Sequence, residues 1–369
     1  MSQAISRRGL ITAALTEIPA SRLFGDVQAD SDAETPKPIR LMANENPYGP
    51  SPGAQTAASE GVARGWQYAI GEISILRQQL AQLHDVSPEH IIVTAGSGEV
   101  LKICALAFCQ QGGSVVSAKP TFNLMTKFAE SLGSEINWVP LDSSMTHDLD
   151  GMATAVGDET NLVYLCNPNN PTGTMINGVR VREFLTEVSS RAPVVVDEAY
   201  LDLHDDADEH TAIPNVLAGE PVIVTRTFSK LHGMAGMRIG YAIASPELIT
   251  RFKALRMTFL NHPGVLAASA SLNDAEFLQF SRGKIRQSMA VTTKTLDDLG
   301  LDYTPSFGNF ILFNTGGSVD DFRSAMKAAG INTARTVPEY PGWARVSMGK
   351  VEHMEIFSVA TRNYFGAGI

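Results

Sequence analysis

Lys230 stands in Arg226-Thr227-Phe228-Ser229-Lys230, after the apolar run Val222–Thr225 and ahead of Gly233, Gly236 and Arg238-Ile239-Gly240-Tyr241. An amine that must lose its proton to condense with a carbonyl needs partial desolvation and nearby cations, which lower its pKa. A lysine among hydroxyls and glycines, with Arg238 eight positions on, meets that description; an ordinary surface lysine is the alternative. Asp197 closes a second apolar run, Val194–Val196, and opens Asp197-Glu198-Ala199-Tyr200. An acid at the end of a buried strand is costly unless it is paired. A protonated pyridine nitrogen would pair with it, and so would an internal salt bridge; an N-cap role is the third option.

Two further strand ends carry polar turns. The run Leu162–Cys166 leads into Asn167-Pro168-Asn169-Asn170-Pro171-Thr172-Gly173, where two prolines and a glycine fix a rigid loop and aim asparagine side chains. The run Ile91–Thr94 leads into Ala95-Gly96-Ser97-Gly98-Glu99. A glycine-rich turn that opens a helix points bare N–H groups at an anion, although each of these loops, taken alone, is equally a turn without a ligand.

The elements that must position these residues follow from the pattern. Short apolar runs at Ile91–Thr94, Ser114–Ala118, Leu162–Cys166, Val194–Val196, Val222–Thr225 and Ile239–Ala244 alternate with helical patterns at Val100–Cys109, Asn123–Leu132 and Val179–Ser190. Doubly buried strands crossed by helices predict a mostly parallel sheet in an α/β layer architecture. Functional groups then gather at the carboxyl ends of the strands, where all four signals lie. A helix is expected over Ile73–His84, whereas Asn44–Pro52 holds three prolines and a glycine and must turn. Beyond residue 264, longer helical patterns and strands at Phe310–Phe313 and Trp343–Ser347 predict a smaller α+β domain.

Composition narrows the class. The 369 residues are 44% hydrophobic and 18% charged, ordinary for a globular enzyme and long enough for two domains. With 29 basic and 39 acidic residues the net charge is −10, which argues against a nucleic-acid partner. Cys104, Cys109 and Cys166 fall in apolar stretches without disulfide or metal-ligand spacing, so buried thiols and no metal are expected. No stretch is long and apolar enough for a membrane span. Ser6-Arg7-Arg8-Gly9-Leu10-Ile11 is a twin-arginine pattern similar to a Tat export leader, although Glu17 interrupts the apolar run early. A functional leader would send the chain to the periplasm; otherwise it is cytoplasmic.

The order and wording of these motifs resemble the class I/II aminotransferases of pyridoxal-phosphate (PLP) fold type I. Within them they are similar to the histidinol-phosphate aminotransferase branch, through Asn44-Glu45-Asn46-Pro47-Tyr48-Gly49-Pro50, the Asn167–Gly173 loop, Asp197–Tyr200 and Ser229–Tyr241. The resemblance covers about residues 38 to 365. It implies a seven-stranded-type, mostly parallel PLP-binding domain at 66–264, a small α+β domain from 36–65 and 265–369, and a leader or disordered arm at 1–35. It also implies that Lys230 holds PLP as a Schiff base and moves the proton at the substrate Cα. Asp197 would pair with the ring nitrogen, Asn170 and Tyr200 would hydrogen-bond the ring 3′-oxygen, and Phe122 would stack on the ring, where many relatives have tyrosine. Ser97, Gly98, Thr227, Ser229 and Arg238 would form the phosphate cup, Arg238 as a fork. Tyr68 would reach the cofactor phosphate of a second subunit, implying a homodimer with shared sites, but the family's Y-P-[DE] reads Tyr68-Ala69-Ile70 here. Arg345, Arg335 and Tyr48, with Asn170, would contact the substrate; Asn309 would serve a turn.

The same lysine and aspartate serve transamination, elimination or decarboxylation, depending on which bond at Cα stands perpendicular to the ring. Motif wording favours transamination between histidinol phosphate or an aromatic amino acid and a 2-oxo acid such as 2-oxoglutarate. A PLP-dependent lyase or decarboxylase is the alternative. A non-enzymatic regulator would need a DNA-binding domain, and the stretch before residue 36 lacks helix-turn-helix patterning.

Overall fold

Runs of β-branched residues bounded by turns build the central sheet. The computed structural model describes residues 37–333 and 336–366; the twin-arginine segment and Arg335 lie outside the described residues. In chain order the strands are β1 Ile39–Leu41, β2 Ile91–Thr94, β3 Ser114–Lys119, β4 Glu135–Pro140, β5 Thr160–Cys166, β6 Val194–Asp197, β7 Val222–Thr227, β8 Gly240–Ile243, β9 Phe310–Asn314, β10 Ile331–Thr333, β11 Thr336–Val337 and β12 Tyr340–Ser347.

Seven of them form one sheet in the order β2-β8-β7-β6-β5-β3-β4. Neighbours from β4 to β7 pair in parallel, and β8 runs antiparallel to both β7 and β2. Alternate residues serve two separate cores: Val163, Leu165, Val194, Val196, Val222 and Val224 face one layer of helices, whereas Leu162, Tyr164, Cys166, Val195 and Ile223 face the other. Burial on both faces is why these strands are continuously apolar in sequence. The predicted helices form at Ile70–Leu83, Ser97–Phe108, Leu124–Ser131 and Gly178–Ser189. Among the described residues no helix is long and apolar enough to cross a membrane.

The strands near the C-terminus make a three-stranded antiparallel sheet, β11-β12-β9, and β10 pairs in parallel with β1. A third core, including Phe313, Phe322, Met354 and Phe357, packs around them. Helix Pro52–Ala63, on the small-domain side of the expected limit at 65, packs closely against helix His262–Leu272, in which the expected limit at 264 falls. Helices Pro52–Ala63 and His262–Leu272 contribute Ala54, Ala58, Val265, Ala267 and Ala268 to the same core as the seven-stranded sheet.

Just beside the strand ends lies a buried ionic group that was not foreseen. Arg226, 2% exposed, donates from Nε to Glu198 Oε2 at 2.9 Å and from its NH1 to Asp202. Glu198 also accepts from the Thr211 hydroxyl at 2.9 Å and the Ala212 N–H at 2.7 Å. Because Glu198 follows β6 and Arg226 lies on β7, the pair clamps the two strand ends that carry Asp197 and Lys230. Removing one partner of a buried pair leaves a charge unanswered, so Arg226→Met should cost roughly 3–5 kcal/mol of stability despite its similar volume. Denaturant unfolding would measure this; a loss below about 1 kcal/mol, the range of a surface pair, would contradict the clamp.

Candidate active site

Parallel strands end on one edge, so their loops converge there. A cavity of about 500 Å³ opens at that edge, lined by residues following β2, β3, β5, β6 and β7, and closed from the other side by Met42–Asn44, Thr336–Glu339 and Arg345. Ser97, Gly98, Phe122, Asn170, Asp197, Tyr200, Thr227, Ser229, Lys230, Arg238 and Arg345 all line it. Two described residues named from the sequence do not. The Tyr48 hydroxyl accepts the Val351 N–H at 2.8 Å, at the start of the last helix, and its ring meets Phe280 edge-on. Tyr68 is 70% exposed and packs against Phe259 at 4.9 Å between ring centroids. Arg335 lies outside the described residues.

Asp197 ends β6 fully enclosed, 2% exposed. Its Oδ2 accepts from the Tyr164 hydroxyl at 3.1 Å and its Oδ1 from the Ala199 N–H at 3.2 Å. Among the described residues no cation lies within ion-pair distance of it. Desolvation raises its pKa to about 6, against the pull of those two hydrogen bonds and the Lys230 charge. Lys230 is half-buried and donates to the Asn44 carbonyl at 2.9 Å, with its amine over the Tyr200 ring at 5.3 Å. Desolvation first, then the charge of Arg345, lowers its pKa to about 8.

Tyr200 follows Asp197 in the same loop. Its hydroxyl accepts from Asn170 at 3.2 Å and from Asn44 at 3.0 Å, and burial pushes its pKa up. Arg345, reaching in from β12, donates to Asn170 Oδ1 at 2.6 Å and to the Met42 carbonyl at 3.0 Å, and lies over the Phe310 ring. Asn44 holds a left-handed backbone at φ 52, a region asparagine tolerates better than most residues. That lets its carbonyl meet Lys230 while its side chain reaches Tyr200. Its own N–H donates to the Ser347 hydroxyl at 2.8 Å. The sequence marked this stretch only as a turn and motif; the role of Asn44 depends on a fold-back that local spacing does not show.

An anion cradle forms beside Lys230. The helix Ser97–Phe108 begins at the cavity without a side-chain cap, so its first N–H groups are open to a ligand. Thr227 and Ser229 share a hydroxyl hydrogen bond of 2.9 Å, and Arg238 donates weakly to Ser229 at 3.4 Å. Gly96, at φ +83, lies directly against the Arg238 guanidinium, and a Cβ there would collide with it. Behind them, Asn169 is buried and joined to Thr121 at 2.8 Å and to the Pro120 carbonyl at 3.1 Å, so the loops after β3 and β5 hold each other. The Asn309 amide donates to the Glu45 carbonyl at 3.1 Å. Tyr164 and Asn44 are the site residues that sequence reasoning passed over.

Known proteins were then compared. The chain is 37% identical over 330 residues to a histidinol-phosphate aminotransferase of Halalkalibacterium halodurans, covering 89% of this chain and 88% of that protein. It is 35% identical to the corresponding protein of Brevibacillus brevis, covering 89% and 91%. Its structure is similar to that of histidinol-phosphate aminotransferase from Sinorhizobium meliloti, solved in complex with pyridoxal 5′-phosphate. The TM-score is 0.84 at 28% identity, over 99% of each chain. A family model for aminotransferase class I and II matches residues 36–360, nearly the whole described chain, and with that match this chain belongs to the class I and II aminotransferases.

Proposed function

We propose that this aminotransferase binds PLP covalently at Lys230 and transfers the amino group of a donor with an anionic end, histidinol phosphate or an aromatic amino acid, to a 2-oxo acid such as 2-oxoglutarate. The observation that carries the reading is one cavity lined by a half-buried amine, a buried carboxylate with no cation partner among the described residues, and two arginines. These residues fit the cofactor. The open helix start, the Thr227–Ser229 hydroxyls and Arg238 suit a phosphate, and Asp197 suits a protonated ring nitrogen. When bound, PLP supplies an aldehyde that condenses with amines and a ring that withdraws electrons from the substrate Cα.

The residues of this chain do the rest. Asp197, ionised above about pH 6, keeps a proton on the ring nitrogen. Lys230 holds the cofactor through Nζ and, when released, carries a proton at the same atom. Tyr200 and Asn170 present a hydroxyl and an amide for the ring oxygen, and Phe122, 37% exposed at the mouth, covers a ring face. Arg345 grips the anionic end of the donor, and Arg335 is a second candidate for it.

A homodimer belongs to the same proposal. Trp66, Tyr68, Ile70 and Phe259 are strongly exposed apolar groups, with the Tyr68 ring tilted against Phe259. Exposed apolar side chains of this kind favour a second copy, toward whose cofactor phosphate Tyr68 would extend.

Lys230→Ala should lose the visible-edge absorbance of bound PLP and all turnover, and borohydride reduction of the wild type should fix label on Lys230; label elsewhere would refute the assignment. Asp197→Ala should retain some cofactor but lose most activity, and near-normal turnover would count against its role. In the cofactor-free protein, Lys230 should become reactive toward amine reagents with a midpoint near its lowered pKa of about 8, because the neutral form accumulates above the pKa. A midpoint close to that of a solvent-exposed lysine would contradict the desolvated amine. A donor panel with 2-oxoglutarate, read by glutamate formation, separates the substrates: turnover with histidinol phosphate but not phenylalanine favours the first, and the reverse removes it.

A further inference from the structure

Tyr164 sits on β5 in parallel register with β6, opposite Val195, two pairs before Cys166 meets Asp197. The register puts Tyr164 and Asp197 on the same face of the sheet. The tyrosine is fully buried among apolar neighbours that include Cys104, Val195 and Ile223. Phenylalanine would fill the same volume there, and a phenol in such surroundings is costly unless its hydroxyl finds an acceptor. Its hydroxyl donates to Asp197 Oδ2 at 3.1 Å.

We propose that Tyr164 is a positioning residue for Asp197: its hydroxyl holds the carboxylate ionised and fixes its orientation at the floor of the cavity. This rests on the role proposed above for Asp197. A hydrogen bond to the charged form of an acid favours that form, and one to a carboxylate is stronger than a neutral bond. The titratable groups facing Asp197 are Tyr164 and Cys166 from β5, Glu198 and Tyr200 from its own loop, and Lys230 after β7. Lys230 favours the ionised carboxylate, Glu198 disfavours it, and the Cys166 and Tyr200 groups are held neutral by burial. Tyr164 also stays neutral, because burial and the adjacent Asp197 push its pKa well up, so it remains a donor. Among the described residues it is the one side chain that hydrogen-bonds Asp197; the remaining donor is the Ala199 backbone.

The full chain is tested as wild type, Tyr164→Phe, Asp197→Asn and the double variant. Burial holds Asp197 at about 6 in the folded protein, above its ordinary 3.8. The folded state therefore binds this proton more tightly than the unfolded state, and stability falls as pH rises from 3.8 through about 6. Removing the hydroxyl extends that fall to higher pH. The melting-temperature gap between wild type and Tyr164→Phe, measured without cofactor, should widen from about pH 5 to about pH 8. In the Asp197→Asn background the gap should be flat with pH. With cofactor, Tyr164→Phe should bind PLP roughly tenfold more weakly. A gap that is independent of pH in the wild-type background, or equally pH-dependent in the Asp197→Asn background, would overturn the inference. Failure of the wild type to bind PLP would overturn the proposed function instead, and the cofactor-free melts would still decide the role of Tyr164.

Discussion

A carboxylate withdrawn from water at the end of a buried parallel strand is the constraint around which this site is built. Asp197 has lost most of its solvation, and what replaces water is a phenol, one backbone N–H and the field of a nearby amine. That amine, on Lys230, is moved the opposite way by the same desolvation and by Arg345. The acid at about 6 and the base at about 8 therefore meet near neutrality from opposite sides. Neither shift would arise on an exposed loop. Both follow from ending strands at a covered edge of the sheet, with the Arg226–Glu198 pair holding β6 and β7 beside each other at that edge.

The chain before the first long helix does more than enter the fold. Asn44 carries contacts to Lys230, to Tyr200 and to Ser347 of β12, and Asn46 donates to the Leu231 carbonyl at 2.8 Å. Arg345 on β12 in turn meets Asn170 and the Met42 carbonyl. One short strap thus connects the three-stranded sheet to the lysine loop and to the loop after β5. Displacing it would alter the solvation of the amine and the placement of the arginine together.

Much of this was legible in the residues, and the gaps have physical causes. β2, β5, β6 and β7 are buried on both faces, so their sequences are apolar throughout and their ends could be placed to within two residues. β4 was missed because it is the sheet edge: Glu135-Ile136-Asn137-Trp138 is mostly exposed or half-buried and lacks an apolar run. β1, β10 and β11 span three residues or fewer, too short for any periodicity. Tyr164 escaped notice because a tyrosine inside an apolar run reads as packing, and its acceptor lies on another strand. Tyr48 shows the converse. Its motif was read correctly, yet its hydroxyl is spent on a helix start, which no local pattern reveals. The helix pair 52–63 and 262–272 is rich in small residues, which carry no sign of which core they join.

β8 runs against its neighbours, so its beginning, not its end, lies at the cavity edge. The chain can leave β7, present Lys230, turn, and deliver Arg238 to the same place without a crossover helix. Lys230 and Arg238 are therefore rungs of a single short ladder whose length is set by the peptide between them. Inserting or deleting a residue at 231–237 would shift one rung against the other while leaving both side chains intact, which makes this link a ruler for the span between amine and guanidinium and a poor place for loop variation.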